Sequence, residues 1–117
     1  MNLTDLAQNI AEFARARDWE KFHSPKNLSM ALTREASELM EIFQWLTEEE
    51  SRQLEAHSQK EMVREELADV LIYLIRLADV LGVDLEEALT DKIRANEKKY
   101  PVSLSRGKAT KYTRLKK

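Results

Sequence analysis

The stretch from Glu65 to Val83, EELADVLIYLIRLADVLGV, constrains this chain more than any other. It is apolar on nearly every side, and a run of this length and composition reads as a buried helix. Yet Glu66 and Asp69 sit inside it. At about 100° per residue, Val63, Val70, Tyr73 and Leu77 all fall within roughly 60° of Glu66. Glu66 therefore projects from an apolar stripe, and Asp69 lies one turn further along the same side. A buried, unpaired carboxylate is strongly penalised or takes up a proton. A cation is expected to meet these two acids.

The same anomaly recurs earlier. Leu28, Leu32, Leu39, Ile42 and Leu46 define the buried stripe of a helix expected from Pro25 or Lys26 to Trp45. Glu35 falls within about 40° of Leu28, Leu39, Ile42 and Leu46 on the helical wheel. Glu38 lies one turn away on the same side. Acids at i and i+3 are neighbours on a helix surface, so two such helices side by side would converge four carboxylates: Glu35, Glu38, Glu66 and Asp69. All-oxygen ligation suits Mg²⁺, with Mn²⁺ as a substitute. The competing account is a set of core acids neutralised by Arg34, Arg64 or Arg76. A ferritin-like di-iron bundle needs Glu-x-x-His on two helices, and His57, one of only two histidines, lacks the glutamate.

Two Gly and two Pro in 117 residues, with 34% charged residues, point to one all-α domain of long helices and few turns. Absence of cysteine excludes disulfides and thiolate metal sites and fits a reducing, cytoplasmic setting. No segment has the 18 or so uninterrupted apolar residues of a membrane span, and the N-terminus lacks the basic and apolar blocks of a secretory signal. From Ser103 to Lys117 there are six basic residues and no acid, which leaves 13 basic against 21 acidic in the body, a net of −8. Such a tail either binds an anionic ligand or is simply solvated. The acidic body disfavours stable binding to nucleic acid.

A first helix is expected from Thr4, its N-cap, to Arg17, with Leu6, Ile10, Phe13 and Ala14 at helical spacing. Residues 18–24 read as an ordered loop, because the position before Pro25 disfavours helix. Thr47 with three glutamates opens a short polar helix to Glu55. Ser58 and Glu61 form a capping box for the long helix, which ends at Leu81 with Gly82 at C′. Asp84 and Glu87 start the last helix, which runs to Lys99 before Pro101. The tail after it is expected to form no element of its own. Trp19, Trp45 and Tyr73 either belong to the core or form a slot in which a nucleobase stacks, an arrangement worth about 1–3 kcal/mol per base.

EASELMEIFQW, EELADVLIYLI and KIRANEKKYP resemble, in order and spacing, the signature blocks of the MazG-like all-α nucleoside triphosphate pyrophosphohydrolases. DWEKFHSPKNL and KYTRL are similar to the dCTP pyrophosphatase branch. The resemblance spans about Leu6 to Leu115. It implies a four-helix core and a homo-oligomer, usually a tetramer; with the short extra helix after Thr47 and the charge asymmetry, a catalytic domain over residues 1–102 and a basic tail over 103–117 are expected. It implies cleavage of a (deoxy)nucleoside triphosphate between the α- and β-phosphates, dCTP or a modified dCTP first, with Glu35, Glu38, Glu66 and Asp69 on the metal. The base-and-sugar pocket carries over onto Trp19, Glu20, Lys21, Phe22, His23, Trp45 and Tyr73, with Lys92 and Asn96 as phosphate or sugar contacts. Glu38 is the expected general base, and Lys108 and Lys111 are expected to stabilise the leaving pyrophosphate. Where the eukaryotic dCTP enzymes carry a histidine in the first helix, this chain has Ile10. The alternative is a non-catalytic helical oligomer that senses nucleotides or binds a protein partner.

Overall fold

Six α-helices make up the regular structure of the computed structural model, which describes residues 1–54 and 58–116; no strand occurs among them. The helices are α1 (Leu3–Ala16), α2 (Pro25–Phe43), α3 (Glu48–Ser51), α4 (Ser58–Leu81), α5 (Leu85–Lys99) and α6 (Val102–Ser105). The backbone divides into two compact units, Met1–Val83 and Asp84–Lys117.

In the first unit, α4 packs mainly on α2 and secondarily on α1. Its small core consists of Ala14, Leu28, Ile75 and Ala78, with Glu35 and Arg76 buried among them. Local chemistry places the helix ends. Asn2, in extended conformation, caps α1 by accepting the Asp5 N–H at 2.9 Å, so Thr4 lies inside the first turn rather than at its start. Asparagine is among the best N-caps, which is why the helix begins earlier than its periodicity suggests. α1 closes in a Schellman motif: Trp19 N–H donates to Ala14 O at 2.9 Å and Asp18 N–H to Arg15 O at 3.1 Å. Asp18 takes the left-handed conformation at φ 55°, which aspartate adopts more readily than most side chains.

A single 3₁₀ turn, Glu20–Phe22, orders the segment before α2. Ser24 caps α2 by accepting the Asn27 N–H at 3.1 Å, and Pro25 occupies the first helical turn. α2 stops at Phe43, two residues short of Trp45. Thr47 and Glu50 form a full capping box on α3, which ends at Ser51, short of the expected Glu55: Arg52 closes the turn and Gln53 and Leu54 are not helical, while Glu55 itself and the Ser58 side chain of the expected α4 box lie outside the described residues. Gly82 ends α4 at φ 69°, with Val83 N–H on Ala78 O at 2.8 Å.

Leu67, Leu71, Leu74, Ala78 and Leu81 recur along α4 in alternating steps of four and three. Ala78 is buried, but the four leucines remain 52, 45, 39 and 55% exposed in the single chain. This spacing is that of a two-helix seam, and it lies roughly 160–180° around α4 from Asp69 and Arg76.

In the second unit, the Asp84 side chain caps α5 by accepting the Glu87 N–H at 3.1 Å. The tail is more ordered than its composition suggests. It contains α6 and a 3₁₀ turn at Tyr112–Arg114, and Tyr112 meets Tyr100 edge-on at 6.0 Å while Lys99 Nζ lies 4.8 Å from the Tyr112 ring. One aromatic pair and one cation–π contact fold this short segment back.

Candidate functional site

Glu35 and Glu38 sit one turn apart on α2, and Glu66 lies on α4, the helix that α2 packs against most. Each offers an oxygen within 4.8 Å of the others. Glu35 is only 8% exposed. Its cationic neighbour, Arg34 Nη2, stands at 3.4 Å from Oε1, with an Arg34 side chain that is mostly in solvent. The other arginines considered as neutralising partners are engaged elsewhere: Arg64 pairs with Glu61 at 3.1 Å, and Arg76 with His23 and Asp79.

One oxygen of this cluster stands out. Glu66 Oε2 is buried and has no hydrogen-bond partner among the described residues. Buried polar atoms in folded proteins are almost always satisfied. Burial pushes the Glu66 carboxyl up to about 7, reinforced by hydrogen bonding with Glu35 and by the negative charges of Glu38, Glu35 and Asp69. Glu38 is raised too, first by hydrogen bonding with Glu35, then by desolvation and the Glu35 charge; Arg34 and a hydrogen bond with Glu66 oppose this. Three hard oxygen donors that repel one another, one of them orphaned, suit a hard divalent cation. The cluster can bind a metal. Asp69, half-buried one turn after Glu66, adds to its field but is not one of the three whose oxygens converge.

The expected pocket residues are only partly brought together. Trp19 meets Phe13 edge-on at 5.7 Å and remains 44% exposed. Trp45 is 87% exposed just beyond α2, while Tyr73 is half-buried on α4. Glu20 pairs with Arg15 at 3.8 Å, Lys21 pairs with Asp18 at 2.9 Å, and Phe22 is exposed. Lys92 and Asn96 lie one turn apart on exposed positions of α5, in the second unit, as do the exposed tail residues Lys108 and Lys111.

Arg76 was expected only as a neutralising partner for the acids. It is 7% exposed, and its Nε–H donates to His23 Nδ1 at 3.1 Å while Nη1 approaches Asp79 Oδ2 at 3.4 Å. Burial and the adjacent Arg76 charge lower the His23 pKa against the opposing pull of Glu20. The signal available in the sequence was a cation inside the α4 apolar run, on the Asp69 face.

Comparison with known proteins is consistent in three ways. The model of the MazG-like family matches residues 31–115. The chain is similar to dCTP pyrophosphatase 1 of Bos taurus, with 48% identity over 114 residues, covering 97% of this chain and 68% of the relative. The corresponding human protein shares 46% over the same length, covering 97% and 67%. Among solved structures, a pyrophosphatase from Archaeoglobus fulgidus aligns at a TM-score of 0.76 and 45% identity, over 84% of this chain and 91% of that one.

Proposed function

The chain belongs to the MazG-like family, and from that membership we propose that it is a nucleoside triphosphate pyrophosphatase acting on dCTP or a modified dCTP. The observation that carries this reading is the convergence of Glu35, Glu38 and Glu66 from two helices around one orphaned carboxylate oxygen. The names of the curated relatives supply the substrate class.

Glu35, Glu38, Glu66 and Asp69 would hold Mg²⁺, or Mn²⁺ in its place. When bound, the metal neutralises triphosphate charge and lowers the pKa of a water. Glu38, with its raised proton affinity, takes the proton from the attacking water. The water oxygen adds to phosphorus as the bond between the α- and β-phosphates breaks, giving the monophosphate and pyrophosphate. Trp19 to His23, Trp45 and Tyr73 hold the base and sugar, and within the second unit Lys92, Asn96, Lys108 and Lys111 are the groups whose chemistry suits phosphate. Residues 1–102 act as the catalytic domain and 103–117 as its basic tail.

The active form is a homo-oligomer, a tetramer. The half-exposed Leu67, Leu71, Leu74 and Leu81 support this, because covering the remaining surface of each with a second copy contributes about 1 kcal/mol, roughly half the value for burying a whole leucine. No described helix is long and apolar enough to cross a membrane, and with the absence of cysteine this supports a cytoplasmic location.

The test is pyrophosphate release from a panel of canonical and modified dNTPs and NTPs, with Mg²⁺ and after chelation. Metal-dependent release led by dCTP or its modified forms is expected. Absence of turnover with every nucleotide would overturn the reading in favour of a nucleotide-sensing oligomer.

A further inference from the structure

Arg76 is the one buried cation of the described core. A guanidinium stays charged at any ordinary pH, so its burial is tolerated only where its donors are used. Asp79 is a weak partner, 42% exposed and 3.4 Å away. The shorter bond runs from Arg76 Nε–H to His23 Nδ1 at 3.1 Å. It differs in kind from the other side-chain hydrogen bonds among the described residues. Outside the Glu35–Glu38–Glu66 carboxylate cluster, those all join residues five or fewer positions apart, whereas this one spans 53.

The bond also decides the chemistry of the imidazole. Arginine has no acceptor, so His23 Nδ1 must present its lone pair, and the ring proton resides on Nε2. The segment that His23 ends has little else to hold it. Trp19 and Phe22 are 44% and 57% exposed, and its remaining ties reach only α1 and the start of α2: the Schellman turn at Asp18, the 3₁₀ turn, the Trp19–Phe13 edge contact, the Glu20–Arg15 and Lys21–Asp18 pairs, and Asn27 Nδ2 on Phe22 O at 3.0 Å. On α4, Asp69, Tyr73 and Arg76 share one face, within roughly 60° of each other. The anchor therefore lies on the face that carries Tyr73.

We propose that Arg76 is a positioning residue, which by donating to His23 Nδ1 holds the Trp19–His23 segment on the Tyr73 face of α4 and fixes His23 as its Nε2–H tautomer. The functional half rests on the assignment of that segment to the nucleotide pocket; the structural half does not. Held neutral by burial and by the guanidinium beside it, His23 carries no charge that would compete for phosphate. Arg76 touches neither substrate nor metal in this account and acts only through His23.

The experiment uses the full chain with Mg²⁺. A long-range ¹H–¹⁵N spectrum of the imidazoles is expected to show wild-type His23 protonated at Nε2 and bare at Nδ1, with a tautomer mixture in Arg76→Met. In a Trp45→Phe background, acrylamide should quench Trp19 more strongly once Arg76 is Met. For dCTP hydrolysis, leaving one buried partner of this bond unpaired, the His23 acceptor in Arg76→Met and the Arg76 donor in His23→Leu, predicts a KM raised roughly ten-fold, with kcat changed by less than about three-fold. His23→Asn, whose amide oxygen replaces Nδ1, should recover at least about half of that loss on a logarithmic scale. If Arg76→Met does not fold, the two His23 variants decide the matter, since only a specific Nδ1 acceptor role separates Asn from Leu. An Nδ1–H tautomer in the wild type, unchanged Trp19 quenching, or equal KM values for His23→Asn and His23→Leu would each overturn the proposal. A wild-type protein without turnover would instead remove the pyrophosphatase reading, leaving the tautomer and quenching results to judge the anchor.

Discussion

Glu35 and Glu66 reach toward one another from different helices, with oxygens within 4.8 Å, and Glu66 Oε2 has no hydrogen-bond partner among the described residues. The fold therefore concentrates negative charge where burial makes it least welcome. Function and stability are set against each other at this point, and the two can be measured separately.

Replacing the Glu66 carboxylate by its neutral isostere should separate them. Glu66→Gln is expected to lower turnover of dCTP by roughly 10²-fold or more, as loss of a charge-stabilising group does. In chelator the same variant should melt no lower than the wild type, because it removes a repelling buried carboxylate. Adding Mg²⁺ at about 100 times its Kd should stabilise the wild type by about 2.7 kcal/mol and the variant by clearly less. Undiminished turnover in Glu66→Gln would sink the site assignment.

The raised carboxyl of Glu66 gives a pH signature of definite sign. A group whose folded pKa is raised, here to about 7, binds more protons in the folded than in the unfolded state between the two values. Stability from this group is full below the ordinary carboxylate range and is lost as pH rises through about 7. Metal-free Tm of the wild type should therefore fall relative to that of Glu66→Gln as pH is raised from about 5 to about 7. A difference that stays flat, or that reverses, contradicts the burial argument. His23, with its lowered pKa, acts oppositely, which is why the comparison is made against the variant.

The leucine seam of α4 predicts an assembly phenotype. Leu71→Lys places a charge in the middle of the 67–71–74–81 stripe, where burial of an unpaired ammonium is strongly unfavourable. Light scattering after size exclusion should report the monomer mass for this variant and a multiple of it for the wild type. An unchanged mass would show that the seam is not the contact surface.

Gly82 offers a test of backbone chemistry alone. A Cβ added there would meet nothing within 4 Å, but φ is 69°. The Gly82→Ala variant should lose about 1–2 kcal/mol, the usual left-handed penalty, and several degrees of Tm, with its turnover unchanged at room temperature. Leu28, the one large side chain fully buried among the described residues, provides the contrast. Leu28→Ala should cost about 2–5 kcal/mol through the cavity it leaves.

The parts that could be read in the sequence are those governed by neighbours along the chain. Thr47, Asp84 and Gly82 cap helices because the groups they satisfy lie within a few residues. Glu35 and Glu66 were conspicuous because a charge inside an apolar stripe is visible to periodicity alone. Arg76 was visible for the same reason, but its partner was not. A helical wheel gives the direction of a side chain, not what stands opposite, and His23 is 53 positions away. The α4 leucines were equally ambiguous, since an apolar stripe reads the same whether its own chain or a second copy covers it. In the tail, average composition hid one decisive pair, Tyr100 with Tyr112.

The turn after α1 has a consequence for how such a protein can change over evolutionary time. Its local path from Ala14 to His23 follows main-chain hydrogen bonds, Trp19 to Ala14, Asp18 to Arg15, Phe22 to Trp19 and His23 to Glu20, while the Arg76 bond to His23 ties that path to α4. The main-chain bonds do not depend on which side chains Trp19, Glu20, Lys21 and Phe22 carry. Substitutions there leave those bonds in place, so the base preference proposed for this segment can shift through point mutations on an unchanged frame, provided that His23 keeps its bond to Arg76.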